Sequence, residues 1–246
     1  MQKYVNVARL EKESNYKKRR NKNMALNYAK MKKDEIIWMA NHKCKHSVSY
    51  LGHPNCYIAE HPDQQKTGFI DIEASQLRAD WGITLSVAIL DLHSNDVYSR
   101  VITKDELYSD TMDKDLLKEV VVQMRTYDRL IGYYASNMRF DIPFLRTRCV
   151  HHSISFPEFG EIVMEDLFPV IKFKFKLSSN RLNNACEALL GKTVKTQWLW
   201  KHWVKAIQGN QASLDYIKDH NIKDVQELKR LYLKVFKFSK KVNTSI

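Results

Sequence analysis

TGFIDIEAS, residues 67–75, is the stretch on which the reading of the whole chain turns. Phe69, Ile70 and Ile72 form a short apolar run broken by acids, which reads as a buried strand. Asp71 and Glu73 stand two residues apart, so the period-2 geometry of a strand points both carboxylates to one face. Two carboxylates on one face of a buried strand are costly unless something compensates them. A divalent cation such as Mg²⁺ or Mn²⁺, with its preference for hard carboxylate oxygens, is an obvious compensator. A lone Asp-x-Glu is more often a solvated strand end, so the rest of the chain has to decide.

Downstream, GITLSVAILDL (82–92) and DVYSRVITK (96–104) are β-branched, with Ser94-Asn95 as a turn, and form a hairpin beside the first strand. DKDLLKEVVVQMRTY (113–127) carries Leu116, Leu117, Val120, Val121 and Met124 at helical spacing, and RLIGYY (129–134) returns as a strand. PFLRTRCVHH (143–152) reads as a helix entered at Asp141, with Pro143 in its first turn. SSNRLNNACEALLG (178–191) reads as a helix with a serine cap and a terminal Gly, and the last long helix runs from about Ser213 or His220 to Phe236. Ile222, Val225, Leu228 and Leu231 of that helix would face the sheet, with Asp224 beside them. Three strands followed by helix and strand predict an α/β domain, a mixed β-sheet flanked by helices, over residues 63–246.

Read in order, FIDIEAS, YYASNMRFDIPFL (133–145) and HNIKDVQEL (220–228) resemble the three motifs of the DEDD exonucleases, an RNase H-like superfamily. The resemblance covers about residues 67–237. It implies an RNase H-like sheet holding two Mg²⁺ or Mn²⁺ ions, with Asp71 bridging both. Glu73 and Asp224 would serve the ion that activates the attacking water, and Asp141 the second. The implied reaction is 3′-5′ phosphodiester hydrolysis on DNA or RNA by a two-metal mechanism. The implied partner is nucleic acid, as single strands or 3′ ends. Asn137 and Phe140 match the second motif where its loop approaches substrate, although Phe140 also suits core packing. Asp166 falls where these relatives often carry an Asp between the second and third motifs, equally suits an N-cap of the following turn, and stays outside the catalytic set.

One departure stands out. The tyrosine branch of these exonucleases has a Tyr four residues before the last Asp, and the histidine branch a His five before it. Here His220 precedes Asp224 by four. Residues i and i+4 share a helix face, so His220 could still point into the site and orient or deprotonate water.

The net charge is +12, and residues 1–46 hold 13 Lys and Arg against 4 Asp and Glu, so the basicity is concentrated in an N-terminal arm. Such a block can neutralise phosphates, or can simply be a solvated tail. Between the arm and the first strand, DEIIWMANHKC (34–44) predicts a short helix that Asp34 could cap, with Ile36, Met39 and Ala40 at helical spacing. It leads into CKHSVSYLGHPNC (44–56), where Cys44, His46, His53 and Cys56 match the ligand number of a closed structural Zn²⁺ site, with His42 and His61 as possible substitutes. Residues 1–62 are therefore expected to be a basic arm and a small Cys/His module. In KTQWLWKHWVKA (195–206), Lys195 and Trp198 could bind substrate by charge and base stacking, while at least one of Trp198, Trp200 and Trp203 should pack inward.

No apolar run long enough to span a bilayer, and no apolar leader core in the first residues, point to a cytoplasmic protein without a membrane partner. Two other functions compete with the exonuclease: a nucleic-acid-binding RNase H-like module without catalysis, and a structure-selective endonuclease. The presence of all four acids disfavours the first. Strand-end chemistry would separate the second, because a circular substrate blocks only an exonuclease.

Overall fold

The computed structural model describes residues 31–61, 66–134, 140–158, 161–193 and 199–238. The chain divides into two compact units, residues 1–65 with 158–162, and residues 66–157 with 163–246. Asn137, Lys195 and Trp198, and the arm up to residue 30, lie outside the described residues.

The larger unit is built on a five-stranded sheet in the order β3-β2-β1-β4-β5. β1 (Thr67–Ala74) pairs antiparallel with β2 (Thr84–Asp91) and parallel with β4 (Arg129–Gly132). β3 (Val97–Val101) completes the hairpin with β2, and β5 (Val163–Asp166) extends the sheet parallel to β4. Asn95 takes the left-handed turn conformation that the Ser94-Asn95 step suggested. The fold is thus the expected mixed sheet flanked by helices. β2 is buried at every position, as a strand covered on both faces must be, whereas β1 is buried except at Asp71 and Glu73.

The alternation of side chains sets which face carries the acids. Phe69 shares their face of β1, and its core contains Ala88 and Leu90 of β2, Ile131 of β4 and residues of three helices. These are α6 (Leu167–Lys174), α7 (Leu182–Leu190) and α9 (Gln211–Val235), which contributes Val225, Leu228, Leu231 and Val235. Ile70, Ile72, Leu85, Val87, Ile89 and Leu130 are buried at the alternate positions. Among the remaining helices are α3 (Lys104–Leu107), α4 (Lys114–Met124), which packs on β2 and β3, α5 (Asp141–His151), which packs on α4, and α8 (Trp200–Ile207), which packs on α9.

Three local readings need correction. β5 was not expected: four residues between loops carry no periodicity, and only parallel pairing with β4 makes them a strand. The helix expected to begin with a serine cap at residue 178 starts at Leu182 after Arg181, because the Ser179 hydroxyl instead accepts from the Arg181 amide. In the smaller unit, α1 (Lys33–Asn41) is preceded by Lys32, and Asp34 lies within its first turn, where it complements the helix dipole without capping. That unit also holds α2 (Pro54–Glu60) and a Lys43–Ser49 bridge, around a core of Met39, Cys44, Tyr50, Cys56 and Tyr57.

At Gly68 the first strand passes directly under the ring of Tyr127. A Cβ there would lie 2.8 Å from Tyr127 Cε1 and 3.0 Å from Ile89 Cγ2. Both neighbours belong to the core. Gly68→Ala should therefore destabilise the protein by about 1–3 kcal/mol, the usual cost of overpacking. Urea denaturation measures this, and an unchanged midpoint would mean that the Tyr127 ring moves aside freely.

Candidate active site

Three elements converge on the acid-bearing face. β1 supplies Asp71 and Glu73, α5 presents Asp141 at its first residue, and α9 supplies His220, Asn221 and Asp224. The register pairs Asp71 with Ala88 and Glu73 with Ser86, so the acids face small neighbours on β2 and leave room for side chains from α9. The pairing shifts immediately after Glu73, a bulge of the kind that re-aims a side chain.

His220 and Asp224 share one helix face, as the i, i+4 spacing requires. His220 Nε2 lies 3.7 Å from Glu73 Oε1 and 3.7 Å from Asp224 Oδ2. Ligand atoms of these three residues all fall within 4.8 Å of one another, a grouping able to hold a metal ion. His220 is 2% exposed, so it is no surface histidine. Its ring meets the Trp203 ring edge-on at 5.5 Å.

Asp141 is the most constrained of the acids. It is 4% exposed, and its Oδ2 is buried without a hydrogen-bond partner among the described residues. Burial first, then the charges of Asp71, Glu73, Asp166 and Asp224, push its pKa well above the ordinary aspartate value. A chain that folds a carboxylate into this position leaves one oxygen to be satisfied by a proton or a cation. That donor set, carboxylates with one imidazole, fits hard divalent cations.

Tyr134, at the end of the described segment that follows β4, is anchored from β5. Asp166 Oδ1 accepts from the Phe168 amide at 2.9 Å, capping α6 as expected, and also from the Tyr134 amide at 2.9 Å. Tyr134 is held at φ +65°, a strained conformation for a bulky residue, and its carbonyl accepts from the Phe140 amide at 3.3 Å. Phe140 packs on Phe144 with ring centroids 5.4 Å apart.

Asn221 was not expected in the site. Its Nδ2 donates to Asp71 Oδ2 at 2.7 Å, and its Oδ1 accepts from Ser86 Oγ at 3.0 Å. The serine hydroxyl and the carboxylate together fix which way the amide points. Asn221 thus ties α9 to two strands and fixes one oxygen of Asp71. In the sequence its only signal is that it follows His220. Leu77 and Trp81, both 81% exposed, lie in the connection between β1 and β2. Of the tryptophans expected to pack or stack, Trp203 is core and Trp200 is exposed.

In the smaller unit the four Cys/His residues also come together. Cys44 Sγ lies 3.3 Å from His53 Nδ1 and 3.8 Å from His46 Nδ1, and Cys56 Sγ lies 3.2 Å from His46 Nδ1. The substitutes are otherwise engaged: His42 Nδ1 bonds to the Trp38 carbonyl at 2.8 Å and His61 Nδ1 to the Tyr57 carbonyl at 3.1 Å. Cys149 and Cys186 are core residues.

The family model described as RNase H superfamily matches residues 68–236, more than half of the chain. A search among curated proteins gave no match.

The raised pKa of Asp141 has a definite consequence for metal-free protein. An acid whose folded pKa exceeds its unfolded one destabilises the fold as pH rises from the unfolded value toward the folded value, because only the unfolded chain ionises there. Below the unfolded value, near pH 4, the penalty is absent. In chelator at neutral pH, Asp141→Asn should therefore raise the melting temperature, by about 2–4 °C for each kcal/mol relieved. The difference should close on acidification toward pH 4. A lower melting temperature for the Asn variant at neutral pH would show that the carboxylate is compensated by the protein itself.

Proposed function

The chain belongs to the RNase H superfamily, and from that membership together with its acidic site we propose that it is a metal-dependent 3′-5′ exonuclease on DNA or RNA. Members of the superfamily are usually hydrolytic nucleases, with nucleic acid as substrate and divalent metals as cofactors. The observation that carries the proposal is Asp141, a buried carboxylate beside other acids whose Oδ2 meets no donor among the described residues. Few roles other than cation binding justify that cost.

Asp71, Glu73, Asp141 and Asp224 would hold two Mg²⁺ or Mn²⁺ ions, with Asn221 fixing the rotamer of Asp71. When bound, such a pair of cations polarises the scissile phosphate, eases deprotonation of the attacking water and stabilises the leaving 3′ oxygen. His220 is placed to hold or accept a proton at Nε2, between Glu73 and Asp224. Its burial against Trp203 keeps the imidazole in one orientation. Leu77 and Trp81 offer exposed apolar surface beside the end of β1, suited to stacking on the bases of an unpaired strand. That favours single strands or frayed 3′ ends over intact duplex. The basic arm would add phosphate contacts that strengthen binding without entering the chemistry.

Oligonucleotides labelled at either end, as DNA and as RNA, test the reading in Mn²⁺ or Mg²⁺. A 5′ label should yield a ladder of shortened products and a 3′ label should be released as nucleoside 5′-monophosphate. Circular single strands should survive, and their cleavage would make the protein an endonuclease. Asp71→Asn should abolish cleavage with folding intact, and near wild-type turnover in that variant overturns the metal assignment. His220→Ala should lower the maximal rate by about 10² to 10⁴ with little change in affinity for the 3′ end. His220→Tyr should retain more activity than the alanine variant and lose the acid-side fall in rate that a titrating imidazole imposes. Identical rates and pH profiles for alanine variant and wild type would leave His220 a bystander.

A further inference from the structure

The smaller unit carries chemistry that the proposed nuclease reaction does not use. The Lys43–Ser49 bridge closes a tight turn, with the Cys44 amide donating to the Val48 carbonyl at 2.9 Å and the Ser47 amide to the Cys44 carbonyl at 2.9 Å. Ser47 takes a left-handed φ of 61° at the apex. This turn aims Cys44 and His46 to one side. The second pair comes from the start of α2, where His53 is the residue before the helix, Pro54 opens it, and the Cys56 amide donates back to the His53 carbonyl at 3.0 Å. Two separate local devices thus deliver a thiol and an imidazole each to a single point.

We infer that Cys44, His46, His53 and Cys56 form a closed, four-coordinate structural Zn²⁺ site, bound through the two Sγ atoms and the two Nδ1 atoms. A tetrahedral zinc with Zn–S near 2.3 Å and Zn–N near 2.0–2.1 Å has ligand-to-ligand edges of about 3.3–3.8 Å. The Sγ–Nδ1 separations of 3.3 and 3.8 Å fall within that range and the third, 3.2 Å, just below it, and one ligand atom from each residue lies within 4.8 Å of the other three. Two Cys–His hydrogen-bonded pairs would explain two of these distances, but they give no reason for all four groups to converge.

Charge and size point the same way. Two thiolates and two neutral imidazoles make a doubly negative cage that a divalent ion neutralises, with sulfur selecting Zn²⁺ over Mg²⁺. The described core of this unit is five residues, two of which are the ligand cysteines themselves. Among the described residues, Met39, Tyr50 and Tyr57 are the buried apolar side chains of this core besides the ligand cysteines, with Met31 partly buried against them, a small core that a bound ion would reinforce. The choice among histidines also follows from the structure. His42 and His61 bond through Nδ1 to carbonyls and stack on Trp38 and Tyr57, at 4.0 and 4.6 Å, as the outer wall of the module.

The test uses the full-length protein, purified with reductant and dialysed. Elemental analysis should find about one zinc per chain, and replacement by Co²⁺ alone should give the visible bands of a tetrahedral site with thiolate charge transfer. Cys44→Ala and Cys56→Ala should lose the zinc, His46→Ala and His53→Ala should lower its retention against chelator by at least about tenfold, and His42→Ala and His61→Ala should keep it. Strong chelator should render the 31–61 segment sensitive to protease while the larger unit stays resistant. The wild-type cobalt spectrum decides the matter even where a cysteine variant fails to fold. Octahedral cobalt, zinc content unchanged in the cysteine variants, or a mass two hydrogens short from a Cys44–Cys56 disulfide in freshly purified protein would each overturn the site. None of these readouts involves nuclease activity, so the site stands or falls separately from the proposed reaction.

Discussion

A carboxylate taken out of water must gain a proton, a donor or a cation, and among the described residues none donates to the buried Oδ2 of Asp141. Mutual repulsion would drive such a group apart from Asp71, Glu73 and Asp224 if the backbone allowed it. The backbone does not, because each acid sits on a regular element whose position is fixed by apolar packing elsewhere. Phe69 on the same strand face, Ile131 on β4 and the Val225–Leu228–Leu231 stripe of α9 form one core. Burial of that core, at about 25 cal/mol per Å² of apolar surface, is the force that holds the acids together. The site is therefore a by-product of helix-on-sheet packing, and its electrostatic cost is carried by residues that never touch it.

Asp113 shows how differently the same side chain behaves when its partners are supplied. It is fully buried, yet it accepts from the Thr84 amide at 2.8 Å, from Arg148 Nη2 at 2.7 Å and Nε at 3.1 Å, and interacts with His152 Nε2 at 2.9 Å. Burial alone would raise its pKa, but Arg148, the Thr84 amide and His152 outweigh that and hold it below the usual value. Arg148 lies on α5, two turns beyond Asp141. One short helix is thus tied at its far end by a satisfied aspartate and exhibits an unsatisfied one at its start. The first makes the second possible, since a helix free to slide would carry Asp141 back to solvent.

What could be read in advance was what local periodicity encodes. Asp71 and Glu73 were legible because a strand alternates, and the buried stripe of α9 because a helix repeats every 3.6 residues. The Cys/His set was legible because its members lie within 13 residues. The preference for His46 and His53 over His42 and His61 was also made from that spacing, and the structure adds that the other two imidazoles stack against Trp38 and Tyr57. β5 was hidden because its four residues gain strand character only from β4. Asn221 was hidden for the same reason on a larger scale: its partners, Asp71 and Ser86, stand 150 and 135 positions away, and nothing in its neighbourhood distinguishes it from a polar helix residue.

The tryptophan-rich segment joins these strands of reasoning at His220. At least one of its tryptophans was expected to pack inward, and Trp203 does so, setting its ring edge-on to His220. α8 packs along α9 so that Trp203 and Tyr216 close in around the imidazole, with ring centroids 6.5 Å apart from each other and 5.5 and 6.5 Å from His220. An imidazole is shorter than a phenol, and from a position four residues before Asp224 it reaches less far toward the carboxylates. Aromatic walls behind it compensate by removing the orientations in which it would swing away, which leaves Nε2 equidistant from Glu73 and Asp224 at 3.7 Å. The histidine at this i, i+4 position is therefore held in place by packing from the neighbouring helix. A residue type that looked misplaced on one helix is made consistent by an aromatic contributed from another.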